Sequence, residues 1–114
     1  MEIQFYKYQG TGNDFVLVDN RKKNYSKLNL EDIAFLCDRR FGIGADGMIL
    51  LEEDESFDFY MRYFNSDGRE ASMCGNGGRC VVAFAKYIGL ITDKTKFMAV
   101  DGIHEAIVSE NNYV

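Results

Sequence analysis

There is no proline among the 114 residues, against an average usage of about 5%, and that absence by itself points to no function. Cysteine is scarce: Cys37, Cys74 and Cys80 are the whole complement. The count is odd and the spacing is not of metal-binding type, so no disulfide framework is expected. His104 is the single histidine. With no second histidine and no carboxylate at ligand spacing, it is expected as a surface strand residue rather than a metal ligand. No window approaches the ~20 apolar residues of a membrane-spanning helix. The N-terminus, Met1-Glu2-Ile3-Gln4-Phe5-Tyr6-Lys7, lacks the basic-then-apolar layout of a secretion signal. Basic residues come in short runs only, Arg21-Lys22-Lys23 and Arg39-Arg40, in a chain of net charge −5. Neither a nucleic-acid footprint nor a polybasic membrane patch is expected. Together these absences lead to the expectation of a cytoplasmic protein whose thiols stay reduced.

What is present suits one domain spanning residues 1–114. The chain is 46% hydrophobic and 14% aromatic, enough for a core. Residues 3–8 and 15–19 are rich in aromatic and β-branched types and predict strands, with the turn Gln9-Gly10-Thr11-Gly12-Asn13-Asp14 between them. A polar loop follows over 20–28. Residues 30–40 predict a helix, with Asn29 as N-cap and Asp32 three residues on. Leu30, Ile33, Ala34 and Cys37 form its apolar face, Arg39 and Arg40 suit its negative end, and Gly42 stops it. Cys37 is therefore expected to be packed and inert. Met48–Leu51 and Phe57–Phe64 predict strands, the second with strand alternation. The acidic cluster between them lacks calcium-loop spacing and reads as a solvated turn.

Residues 76–88 predict a helix about 20 Å long at ~1.5 Å per residue. Lys86 is the only charge in its run Cys80–Ile88. A helix apolar nearly all round is buried nearly all round, so sheet is expected to wrap it. Lys96–Val100 and Ile103–Val108 flank Asp101-Gly102 and predict a hairpin with a type I′ turn. Residues 109–114 look like the start of another hairpin. The fold class expected is α+β: a mostly antiparallel sheet wrapped around a central apolar helix, with one flanking helix.

The chemistry concentrates in Asn65-Ser66-Asp67-Gly68-Arg69-Glu70-Ala71-Ser72-Met73-Cys74-Gly75-Asn76-Gly77-Gly78-Arg79-Cys80. It places Cys74 at the mouth of the central helix, beside N–H groups that have no partner within the helix. A free thiol titrates near ~8.5, and the positive end of a helix lowers that value. A ligand carboxylate could accept bonds from the same N–H groups. A thiolate beside a bound carboxylate suits removal of the proton α to it, because charge develops on oxygens already hydrogen-bonded. A cysteine that merely ends a loop fits the same spacing. Cys80 lies about 240° further round the helix, at ~100° per residue, and is expected in the core.

Two glycine-rich loops mimic nucleotide motifs. Gly42-Ile43-Gly44-Ala45-Asp46-Gly47 matches G-x-G-x-x-G, but it follows a helix and precedes a strand, the reverse of the dinucleotide fingerprint. Gly10-Thr11-Gly12-Asn13-Asp14 resembles a phosphate loop without its lysine or its helix. Its alternative role is to bring Asn13 to a ligand.

These three motifs, in this order, resemble the diaminopimelate epimerase family, and the likeness runs from end to end of the chain. The resemblance implies interconversion of LL- and meso-2,6-diaminopimelate, in lysine and peptidoglycan precursor synthesis. It implies two cysteines on opposite faces of the α-carbon and no cofactor, neither pyridoxal phosphate nor metal. Cys74 matches the first catalytic cysteine. Gly75 and Asn76 match backbone donors to the substrate carboxylate, and Asn13 and Asn65 match substrate-contacting asparagines. Gln9, Gly47 and Gly78 depart from residues common in the family, and Gly47 is left out of the site for that reason. By the same resemblance, the second cysteine belongs to a second domain absent from this chain. Alone, the chain is expected to be inactive without that C-terminal domain, unless a homodimer brings two Cys74 thiols together.

Other readings stay open: a different racemase of the same fold, such as a proline racemase-like enzyme, or a non-catalytic carboxylate-binding module. A thiol redox protein is disfavoured, because no resolving cysteine stands near Cys74.

Overall fold

The computed structural model describes residues 3–10, 12–72 and 75–109. Strands β1 (Tyr6–Gly10), β2 (Asn13–Asp19), β3 (Gly47–Glu52), β4 (Tyr60–Asn65), β5 (Glu70–Ala71), β6 (Lys94–Ala99) and β7 (Gly102–Ile107) form one sheet. Helices α1 (Leu30–Cys37) and α2 (Gly75–Tyr87) pack on its two faces. The sheet order is β1-β2-β3-β4-β6-β7, with β5 also on β4. Four pairings are antiparallel, while β2–β3 and β4–β6 are parallel. The α+β architecture, with mostly antiparallel strands curled about a central helix, is the one expected. The two parallel joins are what alternation alone does not reveal.

The sheet's inner face holds Phe15, Leu17, Ile49, Leu51, Phe59 and Met61 against α2. Helix α2 contributes Cys80, Val81, Val82, Phe84 and Ala85, so Cys80 lies in the core as expected. Tyr6 and Tyr8 of β1 close over Phe84, with ring centroids 5.0 and 5.9 Å away. The outer face holds Val16, Val18, Met48, Leu50 and Phe64 against Ile33, Leu36 and Cys37 of α1. Strands β2 and β3 are therefore buried on both faces, which explains their unbroken apolar runs.

Several element boundaries differ from expectation, each for a local reason. The first hairpin is tighter than predicted: Gln9 pairs with Asp14 and Gly10 with Asn13, so β1 runs on through Gly10 and β2 starts already at Asn13. Helix α1 starts as predicted, with Asn29 and Asp32 forming a reciprocal capping box. It ends at Cys37 rather than at residue 40, because the Asp38 carboxylate accepts from the backbone N–H groups of Arg40 and Phe41 and turns the chain. Arg39 consequently leaves the helix and pairs with Asp14 and Asp46. Leu36 replaces Leu30 on the buried face, and Leu30 is exposed. Cys37 is buried, and burial pushes its thiol up to about 11.

The last hairpin turns on Val100-Asp101 rather than Asp101-Gly102, since Ala99 pairs with Gly102. Gly102 opens the return strand at φ 121°, a conformation that glycine makes accessible. His104 is half-buried rather than on the surface. It stacks on Phe97 at 5.4 Å and bonds Asp101 at 2.8 Å. The hairpin predicted from 109–114 lies, from residue 110 on, outside the described residues.

Asn20 is a fully buried polar residue. Its amide donates to Glu52 (2.7 Å) and accepts from the Tyr25 N–H (2.9 Å), tying the 20–28 loop to β3.

Candidate functional site

The site is built where three strands meet the N-terminus of α2. Strand alternation sets the geometry. Asn13 has the parity of Phe15 and Leu17, and Asn65 that of Met61 and Tyr63, so both belong to the inner face. Phe15 pairs with Gly47, and Gly47 pairs with Asn65. Asn13 and Asn65 thus stand at the same end of the sheet. They are two strands apart, roughly 10 Å at the usual spacing. A Cβ at Gly47, on the strand between, would come 2.7 Å from the Phe64 carbonyl oxygen and 3.0 Å from the Tyr63 hydroxyl. Glycine lets those two groups close in.

The turn after β4 holds Asn65 in place. Its N–H donates to the Arg69 carbonyl and its own carbonyl accepts from Gly68 N–H, both at 2.9 Å. Gly68 takes φ 92°, and a Cβ there would sit 2.0 Å from the Leu30 carbonyl oxygen. This glycine is required on both counts.

Helix α2 begins at Gly75, and no acidic residue occupies its first turn. Gly75 is exposed, and among the described residues beyond its chain neighbours a Cβ built on it meets nothing within 4 Å. Gly75 also borders a groove of about 1180 Å³ between α2 and the β6–β7 hairpin, lined by Gly78, Arg79, Val82, Phe97 and His104. Backbone N–H groups and the helix dipole at such an end favour an anion. Cys74 immediately precedes Gly75 in sequence and lies outside the described residues.

Asn76 meets Asn13 directly: its Nδ2 donates to Asn13 Oδ1 at 2.8 Å. Gly10 makes that approach possible, since a Cβ there would come 3.0 Å from Asn76 Cβ. Arg79, one turn on, donates from Nη1 to Asn76 Oδ1 at 3.0 Å. On the far side, Asn13 Nδ2 donates to Asp46 Oδ2 at 3.2 Å. Asp46 accepts also from the Asp14 N–H (3.1 Å) and from Arg39 (3.2 Å). Arg39 grips both oxygens of Asp14, and Lys7 adds a bond at 2.9 Å. The Arg39 guanidinium, with Lys7, holds the Asp14 carboxyl well below the usual carboxylate range.

Of the expected site residues, Asn13, Gly75 and Asn76 converge at the helix mouth and Asn65 stands across the sheet from them. Sequence reading missed Asp46 and Arg79. Asp46 sat inside the dinucleotide-like decoy, and the available signal was an acidic residue between two glycines directly ahead of a buried strand. Among the described residues, no group of three or more histidine, cysteine or acidic side chains could hold a metal ion.

A half-barrel curled round a helix whose N-terminus is lined by asparagines defines the class. The same fold occurs in solved structures of the phenazine biosynthesis PhzF family. The Enterococcus faecalis protein superposes with a TM-score of 0.69 over 96% of this chain and 42% of its own, at 16% identity. The Bacillus anthracis protein gives 0.65 at 21% identity, over 96% of this chain and 36% of its own. The family model described as diaminopimelate epimerase matches residues 5–112, and the chain belongs to that family. The diaminopimelate epimerase of Flavobacterium psychrophilum is 59% identical over 112 residues, 98% of this chain and 44% of that protein. That of Carboxydothermus hydrogenoformans is 49% identical over 117 residues, 98% of this chain and 42% of that protein. The chain therefore spans less than half the length of these curated relatives.

Proposed function

We propose that the mouth of α2 receives the α-carboxylate of diaminopimelate and that Cys74 exchanges the α-proton. Gly75 and Asn76 offer backbone N–H donors to the carboxylate, and Asn13 and Asn65 contact the substrate. The Cys74 thiolate takes the proton from the α-carbon, leaving its electron pair on the carboxylate as an enediolate. A second thiol, on the opposite face, returns a proton and inverts the centre. The whole enzyme interconverts LL- and meso-diaminopimelate with protein thiols alone, and the second thiol comes from a C-terminal domain beyond this chain. The observation that carries the reading is the acid-free first turn of α2, with Gly75 exposed and Asn13 bonded to Asn76 at its edge. A positive helix end stabilises both the bound carboxylate and the neighbouring thiolate.

The test is incubation of the 114-residue chain with LL-diaminopimelate in deuterium oxide, followed by proton NMR and by separation of the stereoisomers. The expected result is slow loss of the α-proton signal without normal turnover to meso product. Cys74→Ala abolishes that exchange. Meso product at an enzymatic rate from this chain, sedimenting as a monomer, would sink the two-thiol assignment. Undiminished exchange in Cys74→Ala would remove Cys74 from the chemistry.

A further inference from the structure

We propose that Asp46 and Arg79 are positioning residues: from opposite ends of one hydrogen-bonded chain they fix the orientation of the Asn13 and Asn76 amides beside the start of α2. The proposal rests on the reading above, in which these asparagines adjoin the substrate. The argument comes from what each group is able to do. A carboxylate only accepts hydrogen bonds and a guanidinium only donates them, whereas an amide side chain does both and is reversible by a flip. The order here is Arg79 to Asn76 at 3.0 Å, Asn76 to Asn13 at 2.8 Å, and Asn13 to Asp46 at 3.2 Å. Asp46 compels Asn13 to turn its NH₂ toward the carboxylate, which leaves Oδ1 toward Asn76. Arg79 compels Asn76 to point its oxygen away, which leaves NH₂ toward Asn13. The two orientations match. Flipping either amide alone sets NH₂ against NH₂ or oxygen against oxygen, and also breaks a charge-assisted bond at the end of the chain. Each end group thus enforces both amides.

Asp46 is suited to the part because it is itself anchored. Its N–H donates to the Asp14 carbonyl at 2.9 Å, and Arg39 holds its second oxygen at 3.2 Å. Asn13 belongs to the inner face and Asp14 to the outer, and Asp46 bonds both. The Lys7–Asp14–Arg39 ion cluster on the outer face is connected through it to the helix mouth. The ligand this device serves is a carboxylate or amino acid, for which the direction of each amide dipole decides between attraction and repulsion.

The test is a ¹H–¹⁵N spectrum of the labelled 114-residue chain, following the side-chain NH₂ resonances of Asn13 and Asn76, with titration of meso-diaminopimelate. Asp46→Asn, nearly isosteric, is expected to shift the NH₂ signals of both asparagines while backbone signals of β2 and β3 stay in place. Affinity for diaminopimelate is expected to fall about tenfold, the scale of one hydrogen bond to a charged group. Arg79→Met, at an exposed helix position, is expected to give the same paired shift from the other end. It answers the question should Asp46→Asn disturb the strands. Asn13 and Asn76 side-chain signals that stay put in both variants, or that move independently of one another, overturn the proposal. Should diaminopimelate move no resonance of the unmodified chain while the paired amide shifts occur, the positioning device stands and the substrate reading falls.

Discussion

The two halves of the sheet are built to different standards of closure. Strands β2 and β3 lie between α1 and α2 and are buried on both faces, with Val16, Leu17, Val18, Ile49 and Leu51 fully enclosed. The β6–β7 hairpin is covered on one face only. Thr95, Phe97 and Ala99 point in, while Ile103 and Ile107 are 57% and 66% exposed. It joins β4 through just two residue pairs, Tyr60 with Met98 and Met61 with Ala99. The proposed site positions divide accordingly. Asn13 begins β2 and Asp46 directly precedes β3, where packing on both sides fixes the backbone, while Asn65 ends the neighbouring strand β4. The groove opens on the side that has one covering layer. Precision is placed where two layers meet, and access where one is lacking.

That contrast is open to direct attack. The largest effect is expected at Phe84, which α2 presses against Tyr6 and Tyr8. Phe84→Ala is expected to cost about 3–5 kcal/mol, read as a fall in the urea midpoint. A loss under ~1 kcal/mol would mean that α2 is not the keystone of the closed half. A smaller effect is expected from acid. The Asp14 carboxyl is held below its ordinary value by Arg39 and Lys7. A depressed folded-state value stabilises fully above the unfolded value of ~3.9 and is lost as pH falls below it. Asp14→Asn is therefore expected to flatten the acid limb of the stability profile, with little change in its shape above pH ~5. A profile identical to that of the unmodified chain below pH 4 would show the cluster to be screened away. The smallest effect is expected on the open half. Ile107→Thr keeps strand propensity on an exposed face and should change stability by no more than ~0.5 kcal/mol. A loss of several times that would break the comparison by showing this face to be covered in solution.

Much of the fold was legible because period and punctuation agree. Asn29 with Asp32 marked the start of α1, and the apolar run after Gly75 marked a wrapped helix. The end of α1 was not legible, since Asp38 captures two N–H groups by a local turn that competes with helix continuation. The last hairpin slipped by one residue because Asp-Gly signals a turn without fixing which residue pairs first. At the site, Asn13, Asn65, Gly75 and Asn76 were singled out from residue type and resemblance, and three of them converge. Asp46 and Arg79 were missed because their part depends on partners 33 and 3 residues away, bonded through side-chain amides. Hydrophobic period carries no trace of such bonds.

The sequence by itself determined which segments are apolar, where the helices begin, and that a cysteine precedes a glycine-rich helix start. These are local properties, set by side chains acting on their own stretch of backbone. Only the tertiary structure decided that β2 pairs with β3 in parallel and that Gly10 admits Asn76. It alone set an acid from one loop and an arginine on α2 at opposite ends of the same pair of amides. Those outcomes depend on contacts between residues far apart in the chain, and such contacts exist only once the sheet has curled around its helix.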